Sequence, residues 1–241
     1  MRTVTLALFT LAVVLSLPAT SHADGDSYRA DDIEDPSGHF RLDVDRLGLQ
    51  AWAFGQFPVS DAVAFTGNIY AIAPSNAPDL DDRDSAWRPS SRMDAGVIFR
   101  LGVFELLPKL GLAMNYNGSD VEALVPQLFA IVRGGPLHVE TWNQLFLSAM
   151  FKSGSLDVFY SRNQILVSPW NFLGFGLQLE LTLGVHNHPG ATKISLPIGA
   201  TLQLQPSLTD VIQVFIAGET DDDVVGDSDG ITGRLTYMHT F

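Results

Sequence analysis

Three histidines, His138, His186 and His188, are the first candidates for chemistry in this sequence. A lipid hydrolase needs a Ser or Thr nucleophile beside a His, with a third group holding the imidazole in place. None of the three sits in such a local pattern, and Val185-His186-Asn187-His188-Pro189-Gly190 reads as a loop, so the sequence argues against an enzyme. His186 and His188 point to one side of an extended segment, but two imidazoles without a third ligand fall short of a metal site. The acidic run Asp221-Asp222-Asp223-Val224-Val225-Gly226-Asp227-Ser228-Asp229-Gly230 invites a calcium reading. Val225 occupies the first position of the D-x-D-x-D-G register and the closing Glu is missing, so the run reads as a solvated loop. The chain has no cysteine, which removes disulfides and thiol chemistry. Its glycines are scattered rather than gathered into a phosphate-cradling loop. No cofactor or metal is expected.

A larger set of polar residues has a different regularity. Arg92, Asp94, Arg100, Lys109, Gln127, Glu140, Gln144, Asp157, Gln178, Glu180, Lys193 and Gln203 occupy alternate positions in segments whose other positions are mostly apolar. Leu173, Phe175, Leu177, Leu179, Leu181, Leu183 and Val185 alternate with Gly174, Gly176, Gln178, Glu180, Thr182 and Gly184. The pattern repeats from Lys193 to Leu204, and again over Met93–Val103. A period of two is a strand with one apolar and one polar face. These runs exceed the usual soluble strand of about five or six residues and match the roughly 9 to 11 needed to cross a bilayer at a tilt. Alternation alone also suits a soluble barrel, with its apolar face inside. Strand length, and small and charged residues mixed on the polar face as in a watery lumen, favour the inverted arrangement.

The N-terminus agrees with export. Met1 and Arg2 precede an apolar stretch, Leu6 to Leu17, and the small-residue site Ser21-His22-Ala23. That order predicts a signal peptide over 1–23, cleaved after Ala23; the apolar core is shorter than the roughly 20 residues of a membrane helix. An acidic segment, 24–37, follows, and 38–241 is read as one barrel domain. The formal net charge is −13, which argues against nucleic acid. The acids cluster at Asp24–Asp35, Asp79–Asp84 and Asp221–Asp229, as solvated tails and loops do.

The last segment places Leu235, Tyr237, His239 and Phe241 on one face. Here the chain resembles bacterial outer-membrane barrels, whose final strand ends in an aromatic residue preceded at alternate positions by hydrophobic or aromatic ones. The resemblance implies that Leu235, Tyr237 and Phe241 form an assembly signal read by the barrel-assembly machinery, with periplasmic chaperones as transient partners and outer-membrane lipids as surroundings. His239 departs from the usual aromatic at its position. Phe57-Pro58-Val59-Ser60-Asp61-Ala62-Val63-Ala64-Phe65 and Gly135-Pro136-Leu137 leading into Glu140-Thr141-Trp142-Asn143-Gln144 resemble uncharacterised proteobacterial outer-membrane proteins, which supports a fold and no particular activity.

Eleven strands are read directly, near 47–57, 62–73, 92–104, 108–117, 122–133, 138–152, 156–165, 172–185, 192–205, 210–219 and 231–241. An even number is needed if both termini lie on the periplasmic side. Phe40, Leu42 and Val44 lie on even positions, whereas Leu47, Leu49, Ala51 and Ala53 lie on odd ones. Either a bulge or a tight turn at Asp45-Arg46 that adds a first strand explains the slip. The fold predicted is an all-β, transmembrane, antiparallel up-and-down β-barrel of twelve strands, with ten as the alternative. Connections 74–91, 118–121, 153–155, 186–191 and 220–230 become external, and 58–61, 134–137, 168–171 and 206–209 become short inner turns. Trp52, Tyr70, Tyr116, Trp142, Trp170 and Phe172 are assigned to interfacial girdles. The functional expectation is a passive, porin-like channel for small polar solutes in the bacterial outer membrane, with Arg92, Asp94, Arg100, Lys109, Glu140, Gln144, Asp157, Gln178, Glu180 and Lys193 as lumen selectivity residues. Mixed charges that merely pair and fill the barrel are the alternative, followed by a structural or surface barrel and a lipid hydrolase.

Overall fold

The computed structural model describes residues 37–45, 48–74, 90–115, 120–153, 155–186, 194–218 and 230–241. The signal-peptide and acidic-segment assignments, Lys193, His188, Tyr116 and the acidic run 221–229 lie outside the described residues. The described elements are strands: β1 Ser37–Asp45, β2 Gly48–Ser60, β3 Val63–Pro74, β4 Ser90–Leu101, β5 Phe104–Asn115, β6 Val121–Gly134, β7 Leu137–Phe146, β8 Asp157–Trp170, β9 Leu173–His186, β10 Ile194–Ser195, β11 Ile198–Leu204, β12 Asp210–Gly218 and β13 Ile231–Thr240.

Neighbouring strands pair antiparallel, with β10 and β11 both on β9, and β13 pairs with β1, so the sheet closes on itself. Closure leaves the sheet no open edge, the condition for it to sit in hydrocarbon. β10 and β11 are two pieces of one wall strand. Ser195 pairs with Thr182 and Ile198 with Leu179, so the register runs unchanged across Leu196-Pro197. The ladder lapses there because Pro197 has no N–H to give, while its carbonyl still accepts from Glu180 N at 3.0 Å. The wall is therefore a twelve-stranded barrel.

The first strand settles the phase slip. Asp45 pairs with Gly48, so a tight turn, and no bulge, moves the apolar set from even to odd positions. Other strand bounds needed correction. β5 begins at Phe104, because Gly102 takes a left-handed φ of 64° that permits a two-residue turn from β4. β7 ends at Phe146; beyond it the chain turns, with Phe151 N and Lys152 N donating to Ser148 O. β8 extends to Trp170, well past the expected end.

The apolar face points outward. Leu177 is 65 %, Ile216 60 % and Ile69 59 % exposed, while Arg92, Asp94 and Gln178, at alternate positions, are buried inside. This is the inversion of a soluble barrel. The ends are unlike: tight turns such as 61–62, 102–103, 135–136 and 171–172 gather at one, with the C-terminus, and the longer connections at the other.

Candidate functional site

The lumen is the site, and it is asymmetric around the wall. Ala64, Ile98, Leu107 and Ile131 pack together inside with Phe54 and Phe129. Ala113, Ala123 and Val125 form a second inward apolar group against Phe146. The inner faces of β2 to β6 thus carry apolar groups beside charged ones, Arg92, Asp94, Arg100, Glu105, Lys109 and Arg133.

A layer of aromatic rings crosses the middle. Trp52 and Tyr70 have ring centroids 4.1 Å apart, Trp52 meets Trp142 edge-on at 5.4 Å, and Phe129 stacks on Trp142 at 4.9 Å. Cations lie over their faces: the Arg92 guanidinium is 5.2 Å from both the Trp52 and Tyr70 centroids, Arg162 is 5.1 Å from Trp142, and Lys109 Nζ is 4.4 Å from Phe54. Such contacts strengthen where water is excluded.

Carboxylates compensate these cations in clusters, with Arg41–Asp43 and Arg133–Glu105 as further pairs. Asp94 lies 3.4 Å from Arg92 Nε and 3.5 Å from Lys109 Nζ, and accepts from Asn68 Nδ2 and Gln127 Nε2, each at 3.1 Å. Arg92 also donates to Gln144, and Trp142 Nε1 donates to Gln127 at 3.2 Å. Glu140 accepts from Arg162 at 2.6 Å, with His138 at 3.6 Å. Arg234 bridges Glu180, at 2.7 Å, and Asp45, at 3.0 Å, while Gln164 donates to Gln178 and Gln178 to Glu180.

Two cavities flank the aromatic layer. The one toward the long connections holds about 110 Å³ and reaches Asp45, Arg234 and Glu180. The one toward the short turns holds about 430 Å³ and reaches Arg100, Glu105, Arg133 and Gln203. Trp52, Trp142 and Arg162 line both, so they form the partition. Three buried donors at or beside that partition have no hydrogen-bond acceptor among the described residues: Trp52 Nε1, Arg92 Nη2 and Arg162 Nε.

Of the residues selected from the sequence, Arg92, Asp94, Lys109, Gln127, Glu140, Gln144, Gln178 and Glu180 meet in these clusters, Arg100 donates to Gln56 and Gln203 lines the larger cavity. Asp157 is elsewhere: its carboxylate accepts from the Ala149 amide at 2.9 Å, tying down the β7–β8 connection. A register shift between Asp157 and Val158 reverses the parity of β8 after Asp157, so the even-numbered Arg162 faces the lumen. Trp52, Tyr70 and Trp142 are not girdle residues; Tyr70 and Trp142 are buried in the lumen layer and Trp52 packs on both. Their even positions, shared with Gln50, Asn68 and Gln144, already placed them on the polar face. Trp170 and Phe172 do lie exposed at a turn.

At the C-terminus, Phe241 and Gly38 exchange both backbone hydrogen bonds. Tyr237 Oη donates to Asp210 at 2.8 Å, and His239 Nδ1 lies 2.9 Å from the same carboxylate. His239 thus has a polar partner where the outer-membrane pattern has an aromatic.

No family model matches the chain, and no curated protein matches it in sequence. Solved structures do match. The NanC porin superposes with a TM-score of 0.54 at 8% identity, over 86% of this chain and 99% of its own. The KdgM porin, solved also in complex with disordered oligogalacturonate, gives 0.53 at 12% identity over 85% and 99%. The COG4313 outer membrane channel from Pseudomonas putida F1 gives 0.52 at 11% identity over 90% and 100%. The chain has the fold of bacterial outer-membrane porins.

Proposed function

We propose that the protein is a passive, porin-like channel of the bacterial outer membrane that admits small polar solutes past the Trp52–Trp142–Arg162 partition. The observation that carries this reading is the pair of lumen cavities sharing those three lining residues, so that a single layer separates one mouth from the other. The unsatisfied donors there favour solutes rich in acceptors, hydroxyl or carboxylate oxygens, because each buried donor left unpaired costs about 1–3 kcal/mol. The Arg92 and Arg162 donors carry positive charge, and the neighbouring carboxylates Asp94 and Glu140 balance it, which favours selection by local hydrogen bonding over selection by net charge. The oligogalacturonate bound by the KdgM porin is acceptor-rich in the same sense. In this reading the signal over 1–23 directs export, the short turns face the periplasm, and the assembly machinery reads Leu235, Tyr237 and Phe241.

A second reading rests on the ring contacts themselves: a layer stacked this closely could seal the lumen and leave a structural barrel. Single-channel recording of the refolded full chain in planar bilayers decides between them, with Arg100→Gln and Glu180→Gln as companions. Discrete steps whose ion selectivity shifts with either substitution support the channel; silent bilayers holding folded barrel overturn it.

A further inference from the structure

The outward face of the barrel has one feature that an apolar belt does not require. Thr141 and Asn143 on β7, and Ser161 and Asn163 on β8, point away from the lumen, since their neighbours Glu140, Trp142, Gln144, Arg162 and Gln164 point into it. Thr141 pairs with Asn163 and Asn143 with Ser161, so the four make a rectangle. Apolar residues enclose it: Leu128 and Ala130 beside it on β6, Leu179 and Leu181 on β9, Val139 and Leu145 along β7, Phe159 and Ile165 along β8. Elsewhere among the described residues, outward polar side chains such as Asp210, Tyr237 and His239 stand near strand ends. This rectangle is mid-strand, at the depth of hydrocarbon.

Polar side chains at that depth need partners. Some are internal: Asn143 Nδ2 donates to Thr141 Oγ1 at 3.0 Å, Ser161 Oγ donates to Asn143 Oδ1 at 2.8 Å, and Asn163 Nδ2 donates to Ser161 Oγ at 2.9 Å. Among the described residues these bonds leave the Asn163 carbonyl oxygen, one N–H on each amide and the Thr141 hydroxyl proton uncommitted. Acyl chains offer them nothing.

We propose that this rectangle is the contact through which two copies of the chain associate within the membrane. The argument is symmetry. Copies inserted the same way up are related by a twofold axis along the membrane normal, which sets β7 of one against β8 of the other. The patch then faces its own copy, so that the uncommitted Thr141 hydroxyl proton and amide N–H groups of one chain lie against the Asn163 carbonyl oxygen and hydroxyl oxygens of the other. Side-chain amides and hydroxyls are the groups that join membrane segments in this way. The proposal concerns the outer surface and stands whether or not the lumen conducts.

The chain has no native cysteine, which gives a direct test. Full-length Asn163→Cys, and Ala53→Cys on the opposite wall, are refolded into phosphatidylcholine–phosphatidylglycerol vesicles and oxidised. Asn163→Cys is expected to give a disulfide dimer and Ala53→Cys a monomer. A combined Thr141→Val, Asn143→Leu, Ser161→Ala and Asn163→Leu variant, checked for folding by its heat-modifiable gel shift, is expected to lower the dimer fraction about tenfold against the unaltered chain, both read by energy transfer between N-terminally labelled copies in the same vesicles, as loss of a few membrane hydrogen bonds does. A monomer in the unaltered chain, a dimer indifferent to the combined variant, or cross-linking through Ala53→Cys instead would overturn the proposal. Capture of a different polypeptide by Asn163→Cys in native membranes, in place of a second copy, would overturn it too.

Discussion

Gly38 and Phe241 close the barrel: Gly38 N donates to Phe241 O at 3.0 Å and Phe241 N to Gly38 O at 2.9 Å. A Cβ at position 38 would lie 2.4 Å from the Phe54 carbonyl oxygen and 3.0 Å from the Phe241 ring. Only glycine lets the first strand pass between its neighbours there. Gly38→Val should therefore destabilise the folded barrel by about 1–3 kcal/mol through overpacking, read as a lower urea midpoint in vesicles. An unchanged midpoint would show that the seam relaxes freely.

Leu179 and Ile198 are paired across β9 and β11 on the outward face. A charge there must enter lipid, which near the midplane costs about 2–4 kcal/mol. Leu179→Arg is expected to lower the unfolding free energy in bilayers by that amount, and Gln178→Arg, one residue away but facing the lumen, by less. Equal losses would contradict the assignment of the faces.

Much of this was readable in the sequence because a period of two is local. The apolar run of β9 shows its lipid face without knowledge of any other strand, and the phase slip after Val44 announced the turn that makes the first strand. Parity fails where the ladder does. The register shift at Asp157 set that residue among the lumen candidates and left Arg162 out of them, and nothing in the local composition marks it. The partition was missed for another reason. Trp52, Tyr70 and Trp142 were on the polar face by position, but large aromatics invite assignment to the lipid interface, and only the three-dimensional wall shows that strands distant in sequence bring these rings together with Arg92. Ion-pair partners such as Arg234 and Glu180, with |i−j| of 54, are beyond any local pattern.

Asp94 holds two cations, Arg92 and Lys109, in a place where its own side chain has no exposure. Asp94→Asn removes the charge and leaves both cations uncompensated, a loss expected to cost about 3 kcal/mol of stability, the lower end for breaking a buried pair. Lumen charge also becomes more positive, so the reversal potential in a KCl gradient should move toward anion selectivity. Adding Lys109→Gln should recover part of both effects, a coupling that a double-mutant cycle measures directly. Strictly additive losses would mean that Asp94 does not serve the two cations together.

Trp142 is the member of the partition with the most contacts: it stacks on Phe129, meets Trp52 and Tyr160 edge-on, and lies beneath Arg162 and Arg92. Removing its ring joins the two cavities it separates. Trp142→Ala should raise single-channel conductance several-fold while costing about 3 kcal/mol of stability, the low end for truncating a buried aromatic. Trp142→Phe keeps a ring but not the hydrogen bond to Gln127, so its conductance should stay near that of the unaltered chain. If Trp142→Ala folds and its conductance does not rise, the rings do not set the narrowest point, and the search for it moves to the longer connections at the other end of the barrel.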